Sequence, residues 1–248
     1  MKYVTRFVQG LWGVYAWLVF LMCAFIALIV VTLVPGIHAR QWFVMAASRA
    51  VFRLSAVPVA VSGLERLPPG HSVVVANHAS YADGPLLKGF LPARFSFVIK
   101  GEMRDVPVAH FLLRRGGSRF VERFTAAGSA RDARRIVKAA KDGESLAFFA
   151  EGTFRAPPGI GPFRPGAFVA AVRGGMPVVP VAITGTRRLL PSGRRLPRRA
   201  RLTIEILEPI LPEDAAFAHH RLLAEAARAR IAAAAGEPLL EMPPRPAA

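Results

Sequence analysis

Asn77-His78-Ala79-Ser80-Tyr81-Ala82-Asp83 sets an imidazole and a carboxylate five residues apart, directly after the apolar run Ser72–Ala76. A histidine paired with a carboxylate is an oriented general base: the carboxylate fixes the tautomer and stabilises the imidazolium that forms when a proton is taken. In one continuous helix, five residues turn through about 500° and leave the two side chains about 140° apart, unable to meet. The pairing therefore needs His78 in the turn after a strand and Asp83 in the following helix, folded back toward it. A serine nucleophile served by such a base would sit in a GxSxG elbow, and the chain contains none. The simpler chemistry has His78 take a proton from the hydroxyl of an acceptor, which then attacks a carbonyl. Standing alone, the same seven residues also fit a capped turn with a surface histidine, so their surroundings must decide.

The elements that would position this pair are short apolar runs alternating with Ala-, Arg- and Glu-containing segments. The runs are SVVVA at 72–76, FSFVI at 95–99, RFV at 119–121, SLAFFA at 145–150 and VVPVAI at 178–183. Such alternation predicts an α/β domain, a mixed sheet flanked by helices. Ser129 and Asp132 make a capping-box pattern ahead of the stripe Ala133, Ile136, Val137 and Ala140, with Gly143 as terminator, so a structural helix is expected over 129–141. Residues 201–207 read as a late strand and 214–235 as a long helix stopped by Gly236.

Four blocks in this order resemble the glycerolipid acyltransferases, typified by 1-acylglycerol-3-phosphate O-acyltransferases. The first is the NHxxxxD of 77–83. The second is similar to Lys100-Gly101-Glu102-Met103 with Gly117-Ser118-Arg119-Phe120-Val121-Glu122-Arg123. The family's FPEGTR block appears as Phe149-Ala150-Glu151-Gly152-Thr153-Phe154-Arg155, with Ala150 in place of proline and Phe154 inserted before the arginine. Phe163-Arg164-Pro165-Gly166-Ala167-Phe168 and Val179-Pro180-Val181 complete the series over about 64–210. The resemblance implies His78 as base and Asp83 as its partner, with Lys100, Arg123, Glu151, Gly152, Thr153 and Arg155 binding substrate. It implies transfer of an acyl group from acyl-CoA or acyl carrier protein to the free hydroxyl of a lysophospholipid. An aminolipid or another hydroxyl acceptor is the alternative, and a non-catalytic binding module a weaker one. Independently of the family, a lysophosphatidate head carries about two negative charges, and Lys or Arg in loops after strands can bind it. Glu151 is an unusual phosphate contact and is expected to orient arginines or a substrate hydroxyl.

Composition agrees on where the protein works. The chain has 248 residues, 33 Lys and Arg against 16 Asp and Glu, and 53% hydrophobic residues. A net charge of +17 points to nucleic acid or to an anionic membrane or phosphorylated substrate. No aromatic-basic RNA signature accompanies it, whereas residues 11–34 form a run of roughly 24 uncharged residues, against the ~20 needed to span a bilayer. The membrane is therefore the expected partner, and no nucleic acid. The run is too long for a signal peptide and lacks a small-residue cleavage site. A second, amphipathic stretch at 41–57 sets Trp42, Phe43, Met45, Val51 and Leu54 among Arg49 and Arg53, as at an interface, or else as a first core helix. Residues 1–58 are thus expected as anchoring helices, 59–236 as the catalytic domain and 237–248 as a Pro-rich mobile tail; Lys2 and Arg6 before the run and Arg40, Arg49 and Arg53 after it leave its orientation open, and the expected location is the membrane, at the cytoplasmic face of the inner membrane. Arg187, Arg188, Arg194, Arg195, Arg198, Arg199 and Arg201 form a basic segment suited to anionic lipid headgroups, to coenzyme A or to an acidic carrier protein. The single Cys23 lies inside the apolar run and no HExxH occurs, so neither a metal nor a resident cofactor is expected beyond the thioester co-substrate.

Overall fold

The computed structural model describes residues 2–122, 126–153 and 157–241. Two long helices come first, α1 (Lys2–Leu33) and α2 (Ile37–Leu54). After them the chain runs β1 (Val59–Ser62), β2 (Val73–Ala76), α3 (Asp83–Phe90), β3 (Ser96–Lys100), α4 (Pro107–Arg115), β4 (Arg119–Val121) and α5 (Ala126–Lys141). It continues through β5 (Leu146–Phe149), α6 (Gly166–Gly174), β6 (Val178–Thr184), α7 (Thr186–Leu189), β7 (Leu202–Ile206) and α8 (His220–Ala235).

The strands form one sheet in the order β1-β7-β6-β2-β5-β3-β4. From β6 to β4 every pairing is parallel, and β7 meets β6 antiparallel, so the sheet is mixed as the sequence predicts. All four residues of β2 are buried, because helices cover both faces of a mostly parallel sheet. Val73 and Val75 join one core with Ile136 of α5, Phe168 of α6 and Leu223 and Ile231 of α8. Val74 and Ala76 point the other way, into a core with Phe52 of α2, Leu86 and Leu87 of α3 and Trp12 of α1. The strand's period of two thus serves two hydrophobic layers at once.

α1 is long and apolar enough to cross a membrane. It does not stand clear of the domain, however. Trp12, Ala16, Val19, Cys23, Ala27 and Val31 recur at helical spacing and are buried, while Leu18, Leu21, Phe25 and Ile29 on other faces are exposed. Polar contacts tether both ends of this stretch: Trp12 Nε1 donates to Ser55 O at 3.2 Å and Tyr15 Oη to Leu54 O at 2.9 Å, while Arg115 Nε of α4 donates to Val31 O at 2.9 Å. On α2, Trp42, Phe43 and Leu54 are exposed, whereas Phe52 enters the core against Phe90. The interface face and the core helix are therefore two sides of one element.

Besides α4, α6 and α7, which the sequence reading did not single out, three elements differ from it. β1 has no counterpart in it: a four-residue edge strand of alternating half-buried and exposed residues, held by β7, gives little apolar signal. α5 begins at Ala126, ahead of Ser129, so the pattern at 129–132 does not mark its first turn. Asp132 is buried and its Oδ2 accepts from Glu122 N at 2.8 Å, fastening the end of β4 instead of capping a helix. The segment 214–235 splits into a short 3-10 turn (Ala215–Ala218) and α8, because His219 is extended and its ring nitrogen accepts from Arg221 N as the N-cap.

Candidate active site

β2 delivers Asn77 to the carboxyl edge of the sheet, and the Asn77 amide there copies a strand pairing. Its Nδ2 donates to Ile183 O at 2.9 Å and its Oδ1 accepts from Ile183 N at 2.8 Å, locking the strand end to β6. The chain then turns, and Ser80 Oγ secures the turn by donating to Leu190 O at 2.7 Å and accepting from Ala82 N at 3.0 Å. Asp83 opens α3 and is completely buried. Its Oδ2 accepts from Ala79 N at 2.6 Å and Ser80 N at 2.8 Å, and lies 2.8 Å from His78 Nδ1. One carboxylate oxygen thus shapes the turn and orients the ring. An imidazole whose Nδ1 proton is held this way carries its lone pair on Nε2, the nitrogen able to take a proton.

The other face of the ring is fixed from the neighbouring strand. Phe149, the last residue of β5, stacks on His78 with centroids 4.3 Å apart and planes at 20°. The turn after β5 adds Glu151, whose Oε1 accepts from His78 N and whose Oε2 accepts from Gly161 N, both at 2.9 Å. The sequence expected Glu151 to face arginines or a substrate hydroxyl; the structure sets its carboxylate on backbone, joining the histidine turn to the loop at 161. Burial pushes the Glu151 carboxyl above the usual range, against the pull of those two hydrogen bonds. Gly152, in the left-handed region at φ 76°, donates its N–H to Phe149 O at 2.9 Å, so that N–H closes the turn. Thr153 is exposed beyond it.

Lys100 ends β3 and is exposed. Because β2, β5 and β3 are adjacent and parallel, His78, the Glu151 turn and Lys100 emerge from one sheet edge at successive spacings of ~4.8 Å. Arg123 and Arg155 lie outside the described residues. Asn77 and Phe149 stand inside the first and third blocks but, like Ser80, were given no role by the sequence; Ser80 carries no signal beyond its place between the histidine and the aspartate. Beside the turn, an apolar cavity of about 130 Å³ opens between α1, α2 and the histidine loop, with Trp12, Phe20 and Phe52 meeting Tyr81, Ala82 and Pro85. Among the described residues no group of three or more His, Cys, Asp or Glu could hold a metal ion.

Residues 58–184 match the family described as Acyltransferase. The 1-acyl-sn-glycerol-3-phosphate acyltransferase of Saccharomyces cerevisiae is 28% identical over 221 residues, covering 86% of this chain and 73% of that protein. The chloroplastic 1-acyl-sn-glycerol-3-phosphate acyltransferase BAT2 of Brassica napus is 33% identical over 135 residues, 54% of this chain, which thus spans only 39% of that protein. The lyso-ornithine lipid O-acyltransferase of Pseudomonas aeruginosa is 30% identical over 173 residues, 63% of this chain and 66% of that one. The crystal structure of the 1-acyl-sn-glycerophosphate acyltransferase PlsC from Thermotoga maritima superposes with a TM-score of 0.76 over 94% of this chain and 96% of that one, at 24% identity, a likeness of fold. With half its length matched and its histidine–aspartate pair held as the chemistry requires, the chain belongs to the acyltransferase family.

Proposed function

We propose that this acyltransferase moves a fatty acyl group from acyl-CoA or acyl carrier protein to the free hydroxyl of 1-acylglycerol-3-phosphate, giving phosphatidic acid. The observation that carries the reading is the 2.8 Å contact of His78 Nδ1 with the buried Asp83, at the sheet edge from which Lys100 also emerges. His78 Nε2 takes the proton of the acceptor hydroxyl as its oxygen bonds to the thioester carbonyl carbon. The tetrahedral intermediate then collapses, the carbon–sulfur bond breaks, and the imidazolium returns the proton to the departing thiolate. Asp83 stabilises the imidazolium between the two transfers. The apolar cavity beside Tyr81 suits part of an acyl chain, and Lys100, with Arg123 and Arg155, suits the phosphate. The exposed apolar face of α1 and the basic segment 187–201 support action at the cytoplasmic face of an anionic membrane.

A lyso-aminolipid acceptor is the second reading, favoured by the Pseudomonas relative and by the altered block at 149–155. Purified enzyme given acyl-CoA tests both. Lysophosphatidate should be acylated much faster than lysophosphatidylcholine, monoacylglycerol or lyso-ornithine lipid, and His78→Ala should lower the rate by about 10²–10⁴-fold. Equal rates with and without the phosphate would sink the acceptor assignment; near-normal turnover by His78→Ala would sink the mechanism.

A further inference from the structure

At the amino-terminal edge of β3, β4 and β5, across the sheet from His78, lies an open cavity of about 690 Å³. The four-residue β5 alone separates the two edges by roughly 13 Å. The first turn of α2 faces this cavity through Ile37 and His38. Gly36 is the N-cap, without a side-chain hydrogen bond, and the first turn carries no acid. The unpaired N–H groups and positive dipole end of an 18-residue helix are therefore uncompensated there.

A second observation points to a ligand. Gln41, one turn further along α2, is only 6% exposed, lines the cavity, and its amide makes no hydrogen bond among the described residues. Interior amides are ordinarily paired, and the polar atoms of this one are instead left open to the cavity. Gly117 leaves it the room to stand there: at φ +86° it has no Cβ, and one would lie 2.6 Å from Gln41 Nε2. The surrounding charge is positive. Arg94, Arg119, His38 and His71 line the cavity with a single acid, Glu144. That carboxylate is already occupied by Arg119, whose Nε donates to it at 3.0 Å. Arg94 donates to the carbonyls of Pro68 and Pro69, which hold its guanidinium at the rim.

We propose that this cavity binds a phosphate-bearing anion, either the headgroup of an anionic lipid or a soluble phosphomonoester, at a site separate from the acceptor's. Donors converge from a helix end, a buried amide and basic side chains on different elements, an arrangement suited to a tetrahedral oxyanion. The inference does not depend on the acyl acceptor, and its test reads binding rather than turnover.

The full chain in neutral detergent micelles is titrated with inorganic phosphate and, separately, with micelles containing phosphatidate, by calorimetry. Gln41→Leu should weaken binding at least tenfold and His71→Ala, an exposed position, about threefold, while Lys100→Ala, at the acceptor's own phosphate contact, reads whatever share of either probe binds at that opposite edge. Melting temperatures without ligand show that each variant is folded, and His71→Ala stands if Gln41→Leu does not fold. Loss in the phosphate titration assigns a soluble ligand, and loss with phosphatidate alone assigns a headgroup. The proposal is overturned if the wild type binds neither probe, if folded Gln41→Leu and His71→Ala bind both as the wild type does, or if only Lys100→Ala loses affinity.

Discussion

Asp83 does two jobs with one oxygen, and its two obvious substitutions separate them. Oδ2 receives Ala79 N, Ser80 N and the His78 ring, while the buried Oδ1 has no hydrogen-bond partner among the described residues. Asp83→Asn can therefore set its carbonyl in the place of Oδ2 and its NH2 in the place of Oδ1, keeping the turn and the tautomer but losing the charge that stabilises the imidazolium. Asp83→Ala loses the turn as well, and leaving two buried N–H groups unpaired costs about 1–3 kcal/mol each. Both variants should lose most of their kcat, but only Asp83→Ala should also lower the melting temperature by several degrees. Equal thermal stability of the two would show that the backbone bonds to Asp83 contribute nothing to the turn. The histidine and aspartate were legible in the sequence because three further blocks follow them in the order of the acyltransferase family; their spacing alone fits a capped turn equally well. The role of Glu151 was not, since its partners are backbone N–H groups at 78 and 161, and a backbone contact leaves no mark on the residue types it touches.

α3 carries Asp83 at its start and a strained cation near its end. Lys88 Nζ reaches Phe95 O at 3.4 Å and sits 5.2 Å from the Phe97 ring centroid, and burial lowers its pKa to about 8. Between pH ~8 and 10.5 the unfolded chain holds this proton and the folded one has lost it, so stability rises with pH across that window. The cost is fully present below pH ~8, and a shift of ~2.5 units bounds it at roughly 3 kcal/mol. Lys88→Met should raise the melting temperature at pH 7 and remove the rise between pH 8 and 10; a wild-type curve that stays parallel to the variant's would refute the burial cost. Strong apolar runs such as VVPVAI were readable as strands because both faces of the central sheet are covered. β1 escaped because an edge strand is specified by its partner β7 more than by its own composition. The start of α5 escaped because Asp132 mimics a cap while serving β4.

The docking of α1 along the domain gives the whole molecule one apolar flank with a basic border. Trp17 Nε1 donates to Arg195 O at 2.7 Å and the Arg199 guanidinium lies 5.8 Å from the centroid of the Trp12 ring, so the arginine segment sits directly against this helix. The cluster is not uniform. Arg187 pairs with Glu237 at 2.9 Å and is half-buried, whereas Arg188, Arg195 and Arg198 are exposed. Binding to anionic vesicles should therefore have two separable parts: a salt-sensitive one from exposed arginines, worth about 1 kcal/mol each, and a salt-resistant one from the apolar face of α1. Arg188→Gln, Arg195→Gln and Arg198→Gln together should weaken binding to phosphatidylglycerol vesicles on the order of 100-fold at low salt and change binding to neutral vesicles little. Leu18→Glu with Phe25→Glu, on the exposed face of α1, should do the reverse, lowering the binding that persists at high salt. Deleting residues 1–58 is a poor probe of anchoring, because it removes Trp12, Phe52 and Val57 from the core that supports the His78 turn. If the triple arginine variant keeps wild-type affinity for anionic vesicles at low salt, the basic segment faces away from the membrane and α1 alone makes the contact.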